Sequence, residues 1–240
     1  MSETGAPWLS IIIPTLNEAE ALPRCVDCLT DNRHPDRWEI IVADGGSTDG
    51  TVQYAAGHPA VRLLPCTRGR ARQMNAGAGI ARAEHLWFLH ADTLPPPDWF
   101  PQLRRAAKDG LPACFSLRFG GQERSRLLRF YARGSRIDHP WVRFGDQSLF
   151  VRMEDFVGAG GFREDHLLLE GHEMVSRLRR RCGGFLLLPA AVVTSARRYH
   201  HYGVVYTQAV FALLFGLYRL GVSQEILTTI YRRAFRPESS

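Results

Sequence analysis

The chain has 240 residues, 45% hydrophobic and 22% charged, the proportions of a globular domain that can bury its own core without disulfides or a structural metal. Thirty Lys+Arg against 24 Asp+Glu give a net charge of +6, yet Lys108 is the only lysine. Because Lys108 sits in A-A-K-D-G, this excludes a G-x-x-x-x-G-K-[ST] phosphate loop, a kinase-type strand lysine and Schiff-base chemistry.

The first half alternates strand-like and helix-like segments. Ser10-Ile-Ile-Ile13, β-branched and closed by Pro14, predicts a buried strand, and apolar residues at helical spacing predict a helix over 18–30. A strand over 38–43 ends at Asp44-Gly45-Gly46, followed by a short helix over 49–56 and a strand over 61–64. An alanine-rich helix is expected over 68–83, a strand over 85–90 and a helix within 95–110. Such alternation implies a parallel sheet covered by helices, with ligands bound beyond the carboxyl ends of the strands. Thr15, Asn17, Asp44 and Asp92 all fall at such ends.

The second half is less regular. Strands are expected over 113–119, 147–152 and 185–188, with helices over 122–137, 170–181 and 224–235 and a short one after Arg152. Residues 202–218 form a stretch without charge, just short of the ~20 apolar residues that a spanning helix needs. A packed or dimer-forming helix, an interfacial membrane helix and a span all remain open for it. Arg219, Arg232, Arg233 and Arg236 suit the interfacial reading.

Five cysteines, an odd number, and an M-S-E-T-G-A-P-W start with neither a basic nor an apolar signal region predict a reducing, cytoplasmic setting. Cys25-x-x-Cys28 reads as ordinary helix residues, because no second Cys/His pair stands at zinc spacing. Gly77-Ala-Gly79 and Gly158-Ala-Gly-Gly161 fail the strand–turn–helix context of a dinucleotide fingerprint. The loop from Asp44 to Gly50 fails as a calcium site at Gly46 and Thr48. Nucleic acid is disfavoured, since the arginine clusters lack interleaved aromatics.

Together the motifs resemble the family-2 glycosyltransferases. Ile11-Ile-Ile-Pro14-Thr15-Leu16-Asn17-Glu18 and Glu39-Ile-Ile-Val-Ala-Asp44-Gly-Gly-Ser-Thr-Asp49-Gly50-Thr51 carry the likeness at the family's spacing. Gly69-Arg70-Ala-Arg-Gln-Met-Asn75, Phe88-Leu-His90-Ala-Asp92-Thr93, Gly145-Asp146-Gln147 and Gly160-Gly-Phe162 continue it, so the resemblance covers about residues 9–200. The A-R-Q-M-N and F-L-H-A-D-T forms are similar to a bacterial subgroup associated with arsenosugar biosynthesis and radical-SAM/selenoprotein gene neighbourhoods. The resemblance implies an α/β, GT-A-like, Rossmann-related fold with a mostly parallel sheet flanked by helices. A domain over 1–200 would carry a helical C-terminal appendage over 201–240.

The implied reaction moves a sugar, with inversion, from a nucleoside-diphosphate donor, expected to be UDP-linked, to a small-molecule or lipid-linked hydroxyl acceptor with Mg2+ or Mn2+. A buried nucleoside needs acceptors for its imide and ribose hydroxyls, which Glu18 and Asp44 suit. Pro14, Thr15 and Asn17 would shape the loop against the base. Turn chemistry is the alternative for Asp44 and Asn17. Arg70 would meet the diphosphate at a helix N-terminus, while Arg68 and Arg72 read as solvated. Asp92 is the expected metal ligand. His90 stands where the family often has Asp, and is either a second ligand or a satisfied core histidine. Asp146 and Gln147 line the acceptor side or form a structural turn. His200 and His201 read as surface imidazoles, one of which could instead complete the metal site.

The family's general base belongs to an acidic pair after G-G-F, before an R-L-R-R helix. Counting forward from Gly160-Gly-Phe162 puts Glu170 there, and counting back from Arg177-Leu-Arg-Arg180 puts Gly171 there. Glu170 is therefore the base candidate and Glu173, one turn on, the reserve. Glu154-Asp155 precedes G-G-F and is a decoy. Gly171 raises an alternative: a nucleotide-sugar-binding protein that transfers poorly or not at all. Peripheral membrane contact or a homodimer through 202–236 is expected in either case.

Overall fold

The computed structural model describes residues 5–31, 37–121, 125–134 and 148–236. The first half runs β1(Leu9–Thr15), α1(Leu22–Thr30), β2(Trp38–Asp44), α2(Thr51–Gly57), β3(Val61–Pro65), α3(Arg70–Ile80), β4(His85–Phe88), β5(Thr93–Leu94) and α4(Trp99–Asp109). The second half runs β6(Ala113–Phe119), α5(Arg126–Gly134), β7(Leu149–Arg152), α6(Met153–Gly158), α7(Glu170–Cys182), β8(Leu186–Thr194), α8(Arg197–Tyr202), α9(Val204–Arg219) and α10(Gln224–Ala234). The described strands form one sheet in the order β3-β2-β1-β4-β7-β6-β8-β5.

β1, β2, β3 and β4 pair in parallel, β7 runs against both its neighbours, β6 and β8 are parallel, and β5 is antiparallel to β8. β1 explains why its sequence is continuously apolar. Leu9, Ile11 and Ile13 enter one core layer with α1 and α4, while Ile12 enters the other. That second layer includes Ala71, Met74 and Ala78 of α3, Phe156 of α6 and Met174 and Leu178 of α7. A strand covered on both faces loses the polar alternation of a half-exposed one. Each such Ile or Leu contributes about 1.5–3 kcal/mol relative to exposure.

α3 lies close against β1. A Cβ on Gly77 would stand 2.5 Å from Ile12 Cγ2, so only glycine permits this approach. The helix is shorter than the expected 68–83, since Gly69, at φ 136, leaves helical geometry just before Arg70. β4 likewise stops at Phe88 rather than residue 90: Leu89 N–H still donates to Ile12 O at 3.0 Å, and the chain then turns through His90 to Asp92.

β8 is longer than the expected 185–188, because a bulge between Leu188 and Ala191 lets pairing with β6 resume to Thr194. Ser116 Oγ donates to Ala190 O across that irregularity. The two-residue β5, too short for any periodicity, had no sequence signal. α5 occupies 126–134 of the expected 122–137; Ser125 precedes it outside the helix, and 122–124 and 135–137 lie outside the described residues. Gly203, at φ 82, breaks the late helical stretch into α8 and α9. Among the described residues, no helix is long and apolar enough to cross a membrane.

Candidate active site

The parallel strands β1 and β4 open at their carboxyl ends into a pocket of about 520 Å3. Its walls come from Pro14, Thr15 and Glu18 after β1, Arg70 and Gln73 of α3, and His90 and Asp92 after β4. Six of the sequence candidates therefore meet here: Pro14, Thr15, Glu18, Arg70, His90 and Asp92. The far wall is Thr194, Arg197, Arg198 and Tyr199, with Phe211 of α9. β5 fixes that wall to the floor, since Thr93 Oγ1 and Thr194 Oγ1 lie 3.1 Å apart and Ser195 N–H donates to Asp92 O at 3.1 Å.

Asp44 and Asn17 do not line the pocket; they hold its rim. Asp44 Oδ1 accepts the Gly46 and Ser47 N–H groups at 2.9 and 2.8 Å, and Oδ2 accepts the Thr15 and Ser47 hydroxyls at 2.8 and 2.5 Å. Burial alone would raise this carboxyl, but the hydrogen bonds from Ser47, Thr15 and Gly46 outweigh it and hold the pKa below the ordinary aspartate value. Asn17 adopts φ 57, a left-handed conformation that Asn tolerates better than most residues. Its N–H donates to Ser47 Oγ and its Oδ1 accepts Thr48 N–H, both at 2.8 Å, which ties the first strand end to the second.

The Gly69-Arg70-Ala-Arg-Gln-Met-Asn75 motif resolves into three separate tasks on one helix. Gln73 is buried, and its Nε2 donates to Thr15 O at 2.7 Å and Ala43 O at 2.9 Å, joining the ends of β1 and β2. Asn75 pairs with Phe162 of the G-G-F turn like a strand residue, donating to its carbonyl at 2.8 Å and accepting its N–H at 2.9 Å. Arg70 reaches away from both, to Glu170 Oε1 at 3.1 Å.

Glu170 is the first residue of α7 and its side chain is only 6% exposed. Negative charge is favoured at a helix N-terminus. Leu169 before it is held at φ 62, a conformation that costs a non-glycine residue on the order of 1 kcal/mol or more and that fixes where Glu170 points. Glu170 does not itself line the pocket; Arg70 stands between. Glu173 is engaged elsewhere, as Arg177 donates to its two oxygens at 2.7 and 2.6 Å. Arg177 also donates to the carbonyls of Ala159 and Gly161, so this pair clamps the glycine turn onto α7. Asp146 and Gln147 lie outside the described residues.

Two carboxylates of the pocket, Glu18 and Asp92, share the Arg197 guanidinium. Arg197 Nη2 is 3.2 Å from Glu18 Oε2 and 3.9 Å from Asp92 Oδ2. Burial first, and then the Asp92 charge, raise the Glu18 pKa above the ordinary glutamate value despite Arg197. A divalent cation fits such a pair, because it would relieve the repulsion that Arg197 only partly offsets. Among the described residues no three His, Cys, Asp or Glu side chains converge on one point, so such an ion would take most of its ligands from phosphate oxygens and water. His90 is half-buried at the pocket wall, whereas His200 and His201 are exposed and do not line it.

Arg197, Arg198, Gln73 and Phe211 are among the site residues that sequence reading missed. Gln73 had a signal, as a polar residue amid small and apolar ones in α3. Arg197 had none beyond its place after a strand, since α8 has only 6 residues.

The Glycosyl transferase family 2 model matches residues 10–163. An uncharacterized glycosyltransferase of Mycobacterium tuberculosis is 30% identical over 193 residues, covering 75% of this chain and 71% of the relative. A PGL/p-HBAD biosynthesis glycosyltransferase of Mycobacterium bovis is 41% identical over 94 residues, 37% of this chain and 36% of that protein. Among solved structures, the mannosyltransferase PcManGT from Pyrobaculum calidifontis, in complex with GDP-Man and Mn2+, is similar over 90% of this chain at 23% identity and a TM-score of 0.64. S. aureus TarS in complex with UDP is similar over 83% at 15% identity and a TM-score of 0.65. This chain spans 65% and 63% of those two chains. At such identity the structural likeness concerns the fold, and it bears out the expected GT-A-like α/β architecture.

Proposed function

Because the chain belongs to glycosyl transferase family 2, we propose that its pocket binds a nucleoside-diphosphate sugar, UDP-linked, and passes the sugar with inversion to an acceptor hydroxyl. The observation that carries this reading is the pocket at the β1 and β4 ends, where Arg70 and Arg197 are each held by a carboxylate that the reaction itself would use. The subgroup resemblance of A-R-Q-M-N and F-L-H-A-D-T belongs to the same proposal and bears on the acceptor.

In this reading Pro14 and Thr15 pack the base and Glu18 accepts from the nucleoside. Asp44 and Asn17 act through the rim they brace. Asp92, with His90 beside it, would hold Mg2+ or Mn2+, which when bound neutralises the diphosphate and eases its departure. Arg70 and Arg197 bind phosphate oxygens as planar forks. An arginine moving onto phosphate leaves its carboxylate, so donor binding frees Glu170 from Arg70. Glu170 then takes the proton of the acceptor hydroxyl. The new bond from acceptor oxygen to the anomeric carbon forms on one face, and the bond to the diphosphate breaks on the other with its electron pair.

The rival reading, a binding protein without transfer, is favoured by one observation: Glu170 stands behind Arg70 rather than on the pocket wall. Thermal-shift measurements with UDP-, GDP- and dTDP-sugars, with and without Mn2+, test the shared premise. A metal-dependent rise in Tm with UDP-sugar is expected, and no rise with any donor would overturn both readings.

A further inference from the structure

We propose that the outer face of the α9–α10 hairpin is a contact surface for an anionic lipid bilayer. This goes beyond sugar transfer and stands independently of it. α9 exposes Val205 (64%) and Leu213 (53%), Leu220 just past its end is exposed (82%), and α10 adds Ile226 (53%). Ala209, Ala212 and Gly216 are also exposed, so apart from the Tyr206 hydroxyl, which is bonded to Ala234 O, the exposed side of α9 carries no polar side chain until Arg219. Positions 205, 209, 212, 216 and 220 recur at helical spacing, which makes this a continuous face rather than scattered apolar residues.

The charge around that face selects the occupant. Arg197 and Arg198 belong to the pocket, but from Arg219 to Arg236 there are four arginines and one acid, Glu225, a net +3. Exposed Arg219 closes one end of the apolar stripe. The other end meets the close of α10, because Tyr202 Oη donates to Arg236 O at 2.9 Å and Tyr206 Oη to Ala234 O at 3.1 Å. That brings exposed Arg232, Arg233 and Arg236 beside the start of α9. A second copy docked here, in either direction, would set arginine ends against arginine ends, which costs binding energy. Anionic headgroups around an apolar centre complement the same pattern.

With 16 residues α9 is short for a span, so the hairpin would lie along the surface. Phe211, about 200° around the helix from Leu213, lines the pocket. One helix therefore faces lipid on its outside and the active-site cavity on its inside.

Co-sedimentation of the full chain with vesicles of phosphatidylcholine, alone or mixed with phosphatidylglycerol, tests this. Retention on the mixed vesicles is expected, with much less on the neutral ones, weakening as salt rises. Arg232→Glu with Arg233→Glu should lower the affinity about tenfold or more, and Leu213→Gln with Leu220→Gln should lower it similarly. All four side chains are exposed, so Tm should stay unchanged, and two chemically different pairs guard against a single misfolded variant. Absence of binding to either vesicle, or equal binding to both, overturns the proposal. So does a dimer in light scattering that Leu213→Gln dissolves, which would assign the face to a second copy.

Discussion

The two sides of the pocket satisfy their polar groups differently. Around β1, β2 and the start of α3 the partners are chiefly neutral: hydroxyls and backbone N–H groups on Asp44, backbone carbonyls on Gln73, a backbone N–H on Asn17. Toward α7 and α8 they are ion pairs, Arg70 with Glu170 and Arg197 with Glu18. The neutral bonds on buried Asp44 and Gln73 have no better partner to move to, and that side is built to stay still. An arginine on a carboxylate can exchange it for a phosphate of greater charge, so the other side is built to change partners when a ligand arrives.

The largest expected effect breaks that comparison on its mobile side. Glu170→Gln keeps the shape and a hydrogen bond to its surroundings but removes the proton acceptor. Transfer should fall roughly 100- to 10,000-fold while UDP affinity is retained, as read by single-turnover assay and by calorimetry. Undiminished transfer would remove Glu170 from the reaction. On the fixed side the expected loss is in stability. Gln73→Leu removes one donor from each of two carbonyls, Thr15 O keeping the Gly45 N–H at 3.0 Å, a cost of about 2–3 kcal/mol. Tm should drop by roughly 5–10 °C. A drop no larger than that of an exposed substitution would show the two strand ends to be held by something else.

The same division separates what the sequence disclosed from what it hid. β1, β2 and β4 are short β-branched or aromatic runs. Thr15, Glu18 and Asp92 stand at their ends or within four residues beyond, so strand-end logic reaches these residues from the sequence alone. Arg70 is legible near the start of the alanine-rich helix, which begins two residues later than the spacing implies. Turn chemistry had been open for Asp44 and Asn17, and the geometry gives both a loop-bracing task. Arg197 was illegible because its position depends on β8 running on past a bulge and pairing with two-residue β5, neither of which leaves a periodic trace. Glu170 lies between the two: counting from the flanking motifs puts the family's acid at either Glu170 or Gly171, and α7 begins at Glu170.

The smallest expected effect compares two carboxylates of opposite shift through pH. Asp44 has a folded pKa below its unfolded value of about 3.9, lowered by hydrogen bonds that outweigh its burial. Its stabilisation is thus complete above that value and is lost as pH falls through the folded pKa. Glu18 has a folded pKa above its unfolded value of about 4.3, raised by burial and by Asp92. Its charge is therefore a cost at neutral pH, relieved as pH falls through the raised pKa toward the unfolded one. Asp44→Asn should lower Tm at neutral pH, with the difference shrinking in acid. Glu18→Gln should raise Tm slightly at neutral pH and leave it unchanged in acid, while weakening UDP binding. Differential scanning fluorimetry across the acid range reads both. A fall in Tm at neutral pH for Glu18→Gln would mean that its pairing with Arg197 outweighs the repulsion from Asp92, and that the pocket gains nothing in stability by admitting a second cation.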